Sequence, residues 1–367
     1  MDLAAAFSAD KLSILRRNLR RWYGKHGRHL PWRAAGDPYR VWISEIMLQQ
    51  TTVTAVIPYY ERFLARFPDL QTLAEAPEQE VLRLWEGLGY YSRARNIHKT
   101  ARKLCHERGG NFPRHLDELL ALPGIGRYTA GAIASFAFNQ SAPIVEANTL
   151  RLYCRLLGYE GDPRSTEGQR LLWEFAERLV PSQKPGEFNQ ALMDLGATVC
   201  TPTEPKCPSC PLRSICHAFQ QGRQHEIPRL VKRVAMTEVT EASVAVRKQG
   251  TFLLRQRRDE ERWAGMWDFP RFEFDDDLNK ATLSRLAQSL RKLTGIEARE
   301  LQRVETIRHT VTRYRITLHC LSAEFVSGRL LCKDSPMKWI SPRQFEDLAL
   351  SMTARKFARL LTKGTNQ

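Results

Sequence analysis

The sequence predicts two parts, a mostly helical first region followed by a smaller α+β domain. Three observations carry this. From about residue 8 to 220, apolar residues recur at three- and four-residue intervals, and breakers such as "FPDL", "GGNFP" and "ALPGIG" separate the runs. Past residue 242 the character changes. "ASVAVRKQGTFLLRQRR" reads as strand, turn, strand, and "RYRITLHCLSAEFV" alternates like another strand. Between the two regions, residues 221–241 are polar, basic and poor in aromatics, the composition of a linker. The expected division is therefore 1–220, a linker over 221–241, and 242–367, which suits a chain of 367 residues.

Charge narrows the partner. Lys and Arg total 56 against 40 acids, a net +16, and such an excess points to a polyanion, most simply nucleic acid. No apolar run has the length of a membrane span. The start, "MDLAAAFSADKLSILRRNLRRWY", is too polar for a signal peptide and reads as a first amphipathic helix. An intracellular, DNA-associated protein is expected, so disulfides are not.

Along the helical region, "VWISEIMLQQTTVTAVIPYY" reads as one strongly apolar helix. Glu45, Gln49 and Thr52 then share a face, at i, i+4 and i+7. A carboxylate in such surroundings has a raised pKa, because burial disfavours its charged form, and that suits a general acid. A salt-bridged surface Glu is the competing reading. "LPGIGRYTAGAIASFAF" places Gly124 and Gly126 in a tight turn before a helix, the hairpin of a helix-hairpin-helix module. The first N–H groups of that helix point out of the turn and make an anion site.

"APIVEANTLRLYCRLLG" raises a question about Glu146. Asn148 or Thr149 could cap the helix that follows. Glu146 itself is then either a charge that complements the helix dipole or a reacting group. The four cysteines of residues 200–216, spaced Cys200-x6-Cys207-x2-Cys210-x5-Cys216, suggest a metal site. Zinc and a [4Fe–4S] cluster both accept four thiolates, and spacing alone does not choose. Cys105, Cys154, Cys320 and Cys332 read as ordinary buried thiols.

Taken together, "VWISEIMLQQTTV", "GLGYYSRARNIHK", "LPGIGRYTAGAI", "FNQALMDLGATVC" and the four-cysteine loop resemble the adenine DNA glycosylase family of the helix-hairpin-helix and endonuclease III superfamily. The match covers residues 8–220 almost continuously. The resemblance implies a [4Fe–4S] cluster on Cys200, Cys207, Cys210 and Cys216, and a grip on DNA backbone by the Gly124–Gly126 turn. It implies a monomeric base excision repair enzyme acting on double-stranded DNA that carries adenine opposite 8-oxoguanine or guanine, with no membrane role. Glu45 matches the acid that protonates the flipped adenine at N7. Arg33 and Gln190 match groups beside the adenine pocket, Gln50 and Tyr90 match residues that wedge in near the opposite base, and Gln49, on the Glu45 face, is expected to bind DNA or base. Tyr128 stands where bifunctional relatives carry a Schiff-base Lys, so a monofunctional glycosylase is expected.

At the opening question the chain departs from the family. Family members read Ile-Val-Asp-Gly-Asn-Val where this chain has Ile144-Val145-Glu146-Ala147-Asn148-Thr149. Glu146 falls on the Asp that stabilises the oxocarbenium-like sugar, and Asn148 on the Asn that holds it. The longer side chain is expected to remain active. A changed base choice or a non-catalytic damage sensor are the alternatives.

The C-terminal part resembles the family's MutT-like (Nudix-fold) domain, most clearly at "GMWDFP". Where hydrolytic Nudix domains place Mg²⁺-binding carboxylates, this chain has Gln288, Ser289, Lys292 and Leu293, so binding without hydrolysis is expected. The family reads 8-oxoguanine with Phe-Ser-His, and Val311, Thr312 and Arg313 take those places here.

Overall fold

The computed structural model describes residues 3–33, 36–229, 235–275, 277–332 and 335–363. It divides into two compact units, residues 1–74 with 99–232, and residues 75–98 with 233–367. A helical region and an α+β domain are both present, but the division differs from the expected one. Residues 75–98 lie inside the helical stretch of sequence yet belong to the second unit. The 221–241 stretch is not simply a linker either. Ile227 is buried in the first unit's core, and a strand begins at Thr237. The "TEVTEA" alternation there was masked by its polar residues. Residues 230–234 of that stretch lie outside the described residues.

The first unit is helical, and no strand occurs among its described residues. Helix α1 (Ala9–His26) is capped by the Ser8 side chain and buries Leu15 and Leu19, one turn apart, against the core. Full burial of each leucine contributes about 1.5–3 kcal/mol. The apolar run at residue 41 does not form one helix. Helix α2 (Pro38–Leu48) stops, Gln50 turns left-handed at φ +59°, and Thr52 caps α3 (Val53–Arg66) by accepting from the Ala55 N–H. The hydroxyl cap outcompeted continuation of the helix, as Thr commonly does at such positions. The hairpin joins α4 (Leu116–Leu120) to α5 (Arg127–Phe136). Next come α6 (Ala147–Leu157), α7 (Thr166–Leu179) and α8 (Pro185–Thr198). Helix α6 buries Leu152, Tyr153, Cys154 and Leu156 at the centre of the core.

The second unit holds a seven-stranded mixed sheet: β1 (Thr237–Lys248), β2 (Thr251–Gln256), β3 (Trp267–Asp268), β4 (Arg271–Glu273), β5 (Ile296–Val311), β6 (Tyr314–Gly328) and β7 (Met337–Ile340). Its order is β3-β2-β1-β6-β5, with β4 pairing β1 and β7 pairing β2. Among the described strand pairs only β1 with β6 is parallel. Gln249 and Gly250, both at positive φ, make the two-residue β1–β2 turn. Helix α9 (Lys280–Thr294) ends at left-handed Gly295 as expected, and α10 (Met352–Lys363) completes the unit. Period-two alternation sorts β1 between two cores. Ala242, Val244 and Val246 pack with α9 residues Leu286 and Leu290, while Ala245 packs with α10 residues Ala354 and Phe357. Both sheet faces are thus covered by helices, which is why these strands look nearly continuously apolar. Cys154 and Cys320 are buried as expected, whereas Cys105 is only partly buried and Cys332 is exposed. Cys332 sits past the end of β6, where the chain leaves the sheet.

Candidate active site

Glu45 is buried within α2, 2% exposed among apolar neighbours. Burial is the largest influence and pushes its carboxyl up to about 7, with the Glu146 charge adding to the rise and the Tyr128 hydroxyl and Arg33 opposing it. The salt-bridged surface reading is thereby excluded. Tyr128, the second residue of α5, donates a hydrogen bond to Glu45 Oε2. Burial and the two carboxylates hold its own phenol far above the usual range, so it stays a proton donor.

Glu146 is itself the N-cap of α6; neither Asn148 nor Thr149 fills that place. Its Oε1 accepts from the Thr149 N–H at 2.8 Å, and its Oε2 accepts from the Asn148 N–H at 2.9 Å and Asn148 Nδ2 at 3.2 Å. The Thr149 hydroxyl in turn accepts from the Glu146 N–H at 2.9 Å, closing a capping box. Burial raises the Glu146 pKa, and those amides and Arg151 oppose the rise.

Two glycines fix this segment. A Cβ on Gly131 of α5 would stand 2.3 Å from the Pro143 carbonyl oxygen, and one on Gly196 of α8 would stand 2.8 Å from Asn148 Cβ. The chain before and after Glu146 therefore lies directly against neighbouring helices. Arg151 spans Asn148 Oδ1 at 3.0 Å, the Gly196 carbonyl at 2.7 Å and the Cys200 carbonyl at 2.8 Å.

Glu45, Tyr128, Glu146 and Asn148 line one cleft of about 810 Å³, together with Arg33, Gln49, Gln50 and Gln190. All of these belong to the first unit. Arg33 forks onto the fully buried Asp194 at 2.8 and 2.9 Å, and Tyr23 donates to Gln190 Oε1 at 2.9 Å. Gln49 Nε2 reaches the Thr129 hydroxyl at 3.4 Å. At the hairpin, Gly124 has φ +74°, and no side chain caps α5 at the exposed Gly126. A Cβ at Gly126 would meet nothing within 4 Å, which leaves the approach to these first amides open.

Cys200, Cys207, Cys210 and Cys216 line a small apolar cavity with Leu152, Leu156 and Leu212. Arg155, 2% exposed, holds the loop by donating to the carbonyls of Thr201, Pro202 and Ile227, and reaches Cys200 Sγ at 3.2 Å. Among the described residues no three His, Cys, Asp or Glu side chains converge closely enough to hold one metal ion. Four thiols around one apolar cavity, with a buried guanidinium to offset thiolate charge, fit a multi-atom cluster.

The second unit has its own cleft of about 580 Å³, lined by Tyr90, Trp263, His309, Val311, Thr312 and Tyr314 among others. Tyr90, 45% exposed, lies there, while Gln50 lies in the first unit's cleft. Thr312, at φ +52°, and Arg313 form the turn between β5 and β6. Val311 and Thr312 line the cleft. Arg313 does not; its guanidinium lies over Tyr314 and donates to that hydroxyl at 3.0 Å. Sequence reasoning missed Asp194, Arg151, Trp263 and Tyr314. Asp194, Arg151 and Tyr314 lie within "FNQALMDLGATVC", "APIVEANTLRLYCRLLG" and "RYRITLHCLSAEFV", yet nothing local in those stretches marks their distant partners.

A buried protonatable carboxyl and a second carboxylate thus share one cleft in the unit that also carries a hairpin with open amides. The description "HhH-GPD superfamily base excision DNA repair protein" matches residues 43–178, and a NUDIX domain matches residues 242–360. The mouse adenine DNA glycosylase is 35% identical, covering 95% of this chain and 78% of that protein. The Buchnera aphidicola (subsp. Schizaphis graminum) adenine DNA glycosylase is 40% identical, covering 69% of this chain and 73% of that protein. The solved structure of a thermostable thymine-DNA glycosylase aligns with a TM-score of 0.54 at 32% identity, over 58% of this chain and 98% of that one. This chain belongs to the adenine DNA glycosylase family. No helix among the described residues is long and apolar enough to cross a membrane.

Proposed function

We propose that this protein is a monofunctional, monomeric adenine DNA glycosylase, acting in DNA repair on adenine opposite 8-oxoguanine or guanine. The observation that carries the reading is the raised pKa of Glu45, about 7, in a cleft shared with Glu146. The target adenine leaves the stack and enters that cleft, at a cost of a few kcal/mol. Glu45, protonated near neutrality, donates to adenine N7. The base then departs with the electrons of the C1′–N9 bond. Glu146 stabilises the developing positive charge on the sugar, as one carboxylate of a retaining glycosidase does, until a water adds at C1′ and loses its proton to solvent, leaving the abasic sugar. Its three N–H donors hold it in place through that change. Tyr128 keeps Glu45 oriented and offers no amine for a Schiff base.

The four loop cysteines would hold the [4Fe–4S] cluster, which supplies rigidity to a basic loop beside the helical core. The open amides at Gly126 suit a DNA phosphate. The Tyr90 cleft of the second unit reads the opposite base, with Val311 and Thr312 contributing. Arg313, outside that lining, serves by charge at the DNA backbone.

A second reading, the same fold with a changed base choice, is favoured by one observation: the thymine-DNA glycosylase alignment above. Thymine has no N7, so the Glu45 step would not transfer to it. Single-turnover excision on duplexes with A opposite 8-oxoguanine, A opposite G, A opposite T and T opposite G tests both. Fastest loss of adenine opposite 8-oxoguanine is expected. Excision from T opposite G without adenine release would replace the first reading by the second.

A further inference from the structure

The geometry points to Arg355, on the C-terminal helix α10, as a positioning residue for reading the opposite base. It acts through Glu86 on the loop that carries Tyr90. This rests on the assignment of the Tyr90 cleft proposed above.

Arg355 Nε donates to Glu86 Oε1 at 2.8 Å, and its Nη2 to Glu86 Oε2 at 2.9 Å, a two-pronged pair. The same guanidinium donates to the Phe345 carbonyl at 2.6 Å and the Leu348 carbonyl at 2.8 Å. Both side chains are largely buried, 7% and 12% exposed. Glu86 is thus pinned to the rim of the sheet's core by a group with no freedom of its own. Removing one member of such a buried pair strands the other and releases what it held.

What it holds is unusual backbone. Gly87, Gly89 and Tyr90 follow directly, at φ +102°, +70° and +49°. A residue with a Cβ is disfavoured in the left-handed region. Such a conformation persists only where its surroundings over-determine it. Part of the support is local: Arg93 Nη2 donates to the Leu88 and Gly89 carbonyls, and Trp85 Nε1 to the Gly89 carbonyl. These bonds shape the loop from within; Arg95 pairing with Asp259 and Gln79 donating to the Gly265 carbonyl tie its flanks to the Trp263 loop, but none of them reaches the Glu86 end from the α10 core. The Glu86–Arg355 fork does, because α10 packs through Phe357 on the core shared with Trp267, Phe269 and Phe345.

The test uses the full chain and single-turnover excision of adenine opposite 8-oxoguanine and opposite guanine. The readout is the ratio of the two rates. Arg355→Met is expected to lower that ratio roughly tenfold, the scale of weakening one base–aromatic contact. In a Tyr90→Ala background the same substitution should leave the ratio unchanged. A ratio kept by Arg355→Met, with both rates falling equally, would reduce the residue to a structural role and overturn the inference. So would a drop that persists without Tyr90. If thermal unfolding shows Arg355→Met misfolded, Arg355→Lys, which keeps the charge but loses the fork, is read the same way, with a smaller drop expected. A wild-type ratio near one would overturn the cleft assignment and this inference together. A clear wild-type ratio that Arg355 variants leave intact would overturn only the inference.

Discussion

Titration of Glu45 gives the most direct trial of the proposed chemistry, because one group should set both activity and stability. Its carboxyl lies at about 7 in the fold, against an ordinary value of 4.5. The folded state therefore favours the protonated acid. That preference stabilises the fold fully below pH 4.5 and is lost as the pH rises through about 7. Two and a half units at about 1.4 kcal/mol each leave the buried anion roughly 3 kcal/mol worse than the acid at alkaline pH. Glu45→Gln keeps the shape and an acceptor for the Tyr128 hydroxyl but cannot ionise. Urea unfolding should show the variant gaining on the wild type by up to roughly 3 kcal/mol between pH 5 and pH 9.

Excision should follow the same group. The single-turnover rate is expected to fall on the alkaline side with a midpoint near 7, set by loss of the Glu45 proton. Glu45→Gln should bind the mispair and excise nothing measurable. A stability difference that stays constant with pH would refute the burial argument. Excision by the Gln variant would refute the general-acid role even if the stability argument held.

Other outcomes follow from neighbouring contacts. Glu146→Ala removes a cap and the cation-stabilising carboxylate, so it should abolish excision while lowering stability by only about 1 kcal/mol, checked by rate and melting. Gly131→Ala drives a Cβ to within 2.3 Å of the Pro143 carbonyl, a backbone atom that must move. It should lower stability by about 1–3 kcal/mol and slow excision more than it weakens DNA binding, measured side by side. Cys210→Ala should lose visible iron–sulfur absorbance and bound iron by elemental analysis; zinc in the wild type would sink the cluster assignment. Tyr128→Lys should make the protein trappable on abasic product with borohydride, and no adduct would mean that position 128 does not face the sugar.

How much was legible in the sequence depended on the range of each interaction. Burial of Glu45 could be read because its apolar neighbours are adjacent in the chain. The break after Leu48 could not, because the apolar pattern runs through it and only the Thr52 cap marks it. The importance of position 146 was visible, but not that Glu146 would displace Asn148 as the cap, since that depends on side-chain reach. Asp194 and Arg151 act on Arg33 and Cys200 from 161 and 49 residues away, and no local pattern announces such pairs. The assignment of residues 75–98 to the second unit is the extreme case. Its helical periodicity is ordinary, and what places it is contact with elements far along the chain, including the Arg355 fork to Glu86.

The capping role of Glu146 also bears on whether a Glu can serve where the family carries Asp. A cap and a reacting carboxylate are usually treated as alternatives, yet here they reinforce each other. An anion whose two oxygens accept two backbone amides and one side-chain amide at a helix start is oriented before any substrate arrives. Those donors oppose the burial that would otherwise neutralise it. Glu45 has one donor, Tyr128, and apolar walls, so burial prevails and the proton stays. Burial raises both carboxyls, but at Glu146 two backbone amides, the Asn148 amide and Arg151 oppose the rise, whereas at Glu45 the opposition comes from Tyr128 and Arg33. Glu146 accommodates its extra methylene while bonding to its own helix amides and remaining on the cleft wall. Glu146→Asp tests this directly. Slower excision, with the cap weakened, would mean that the rest of the site has adjusted to the longer side chain. Faster excision would mean that the amides hold the carboxylate away from the sugar.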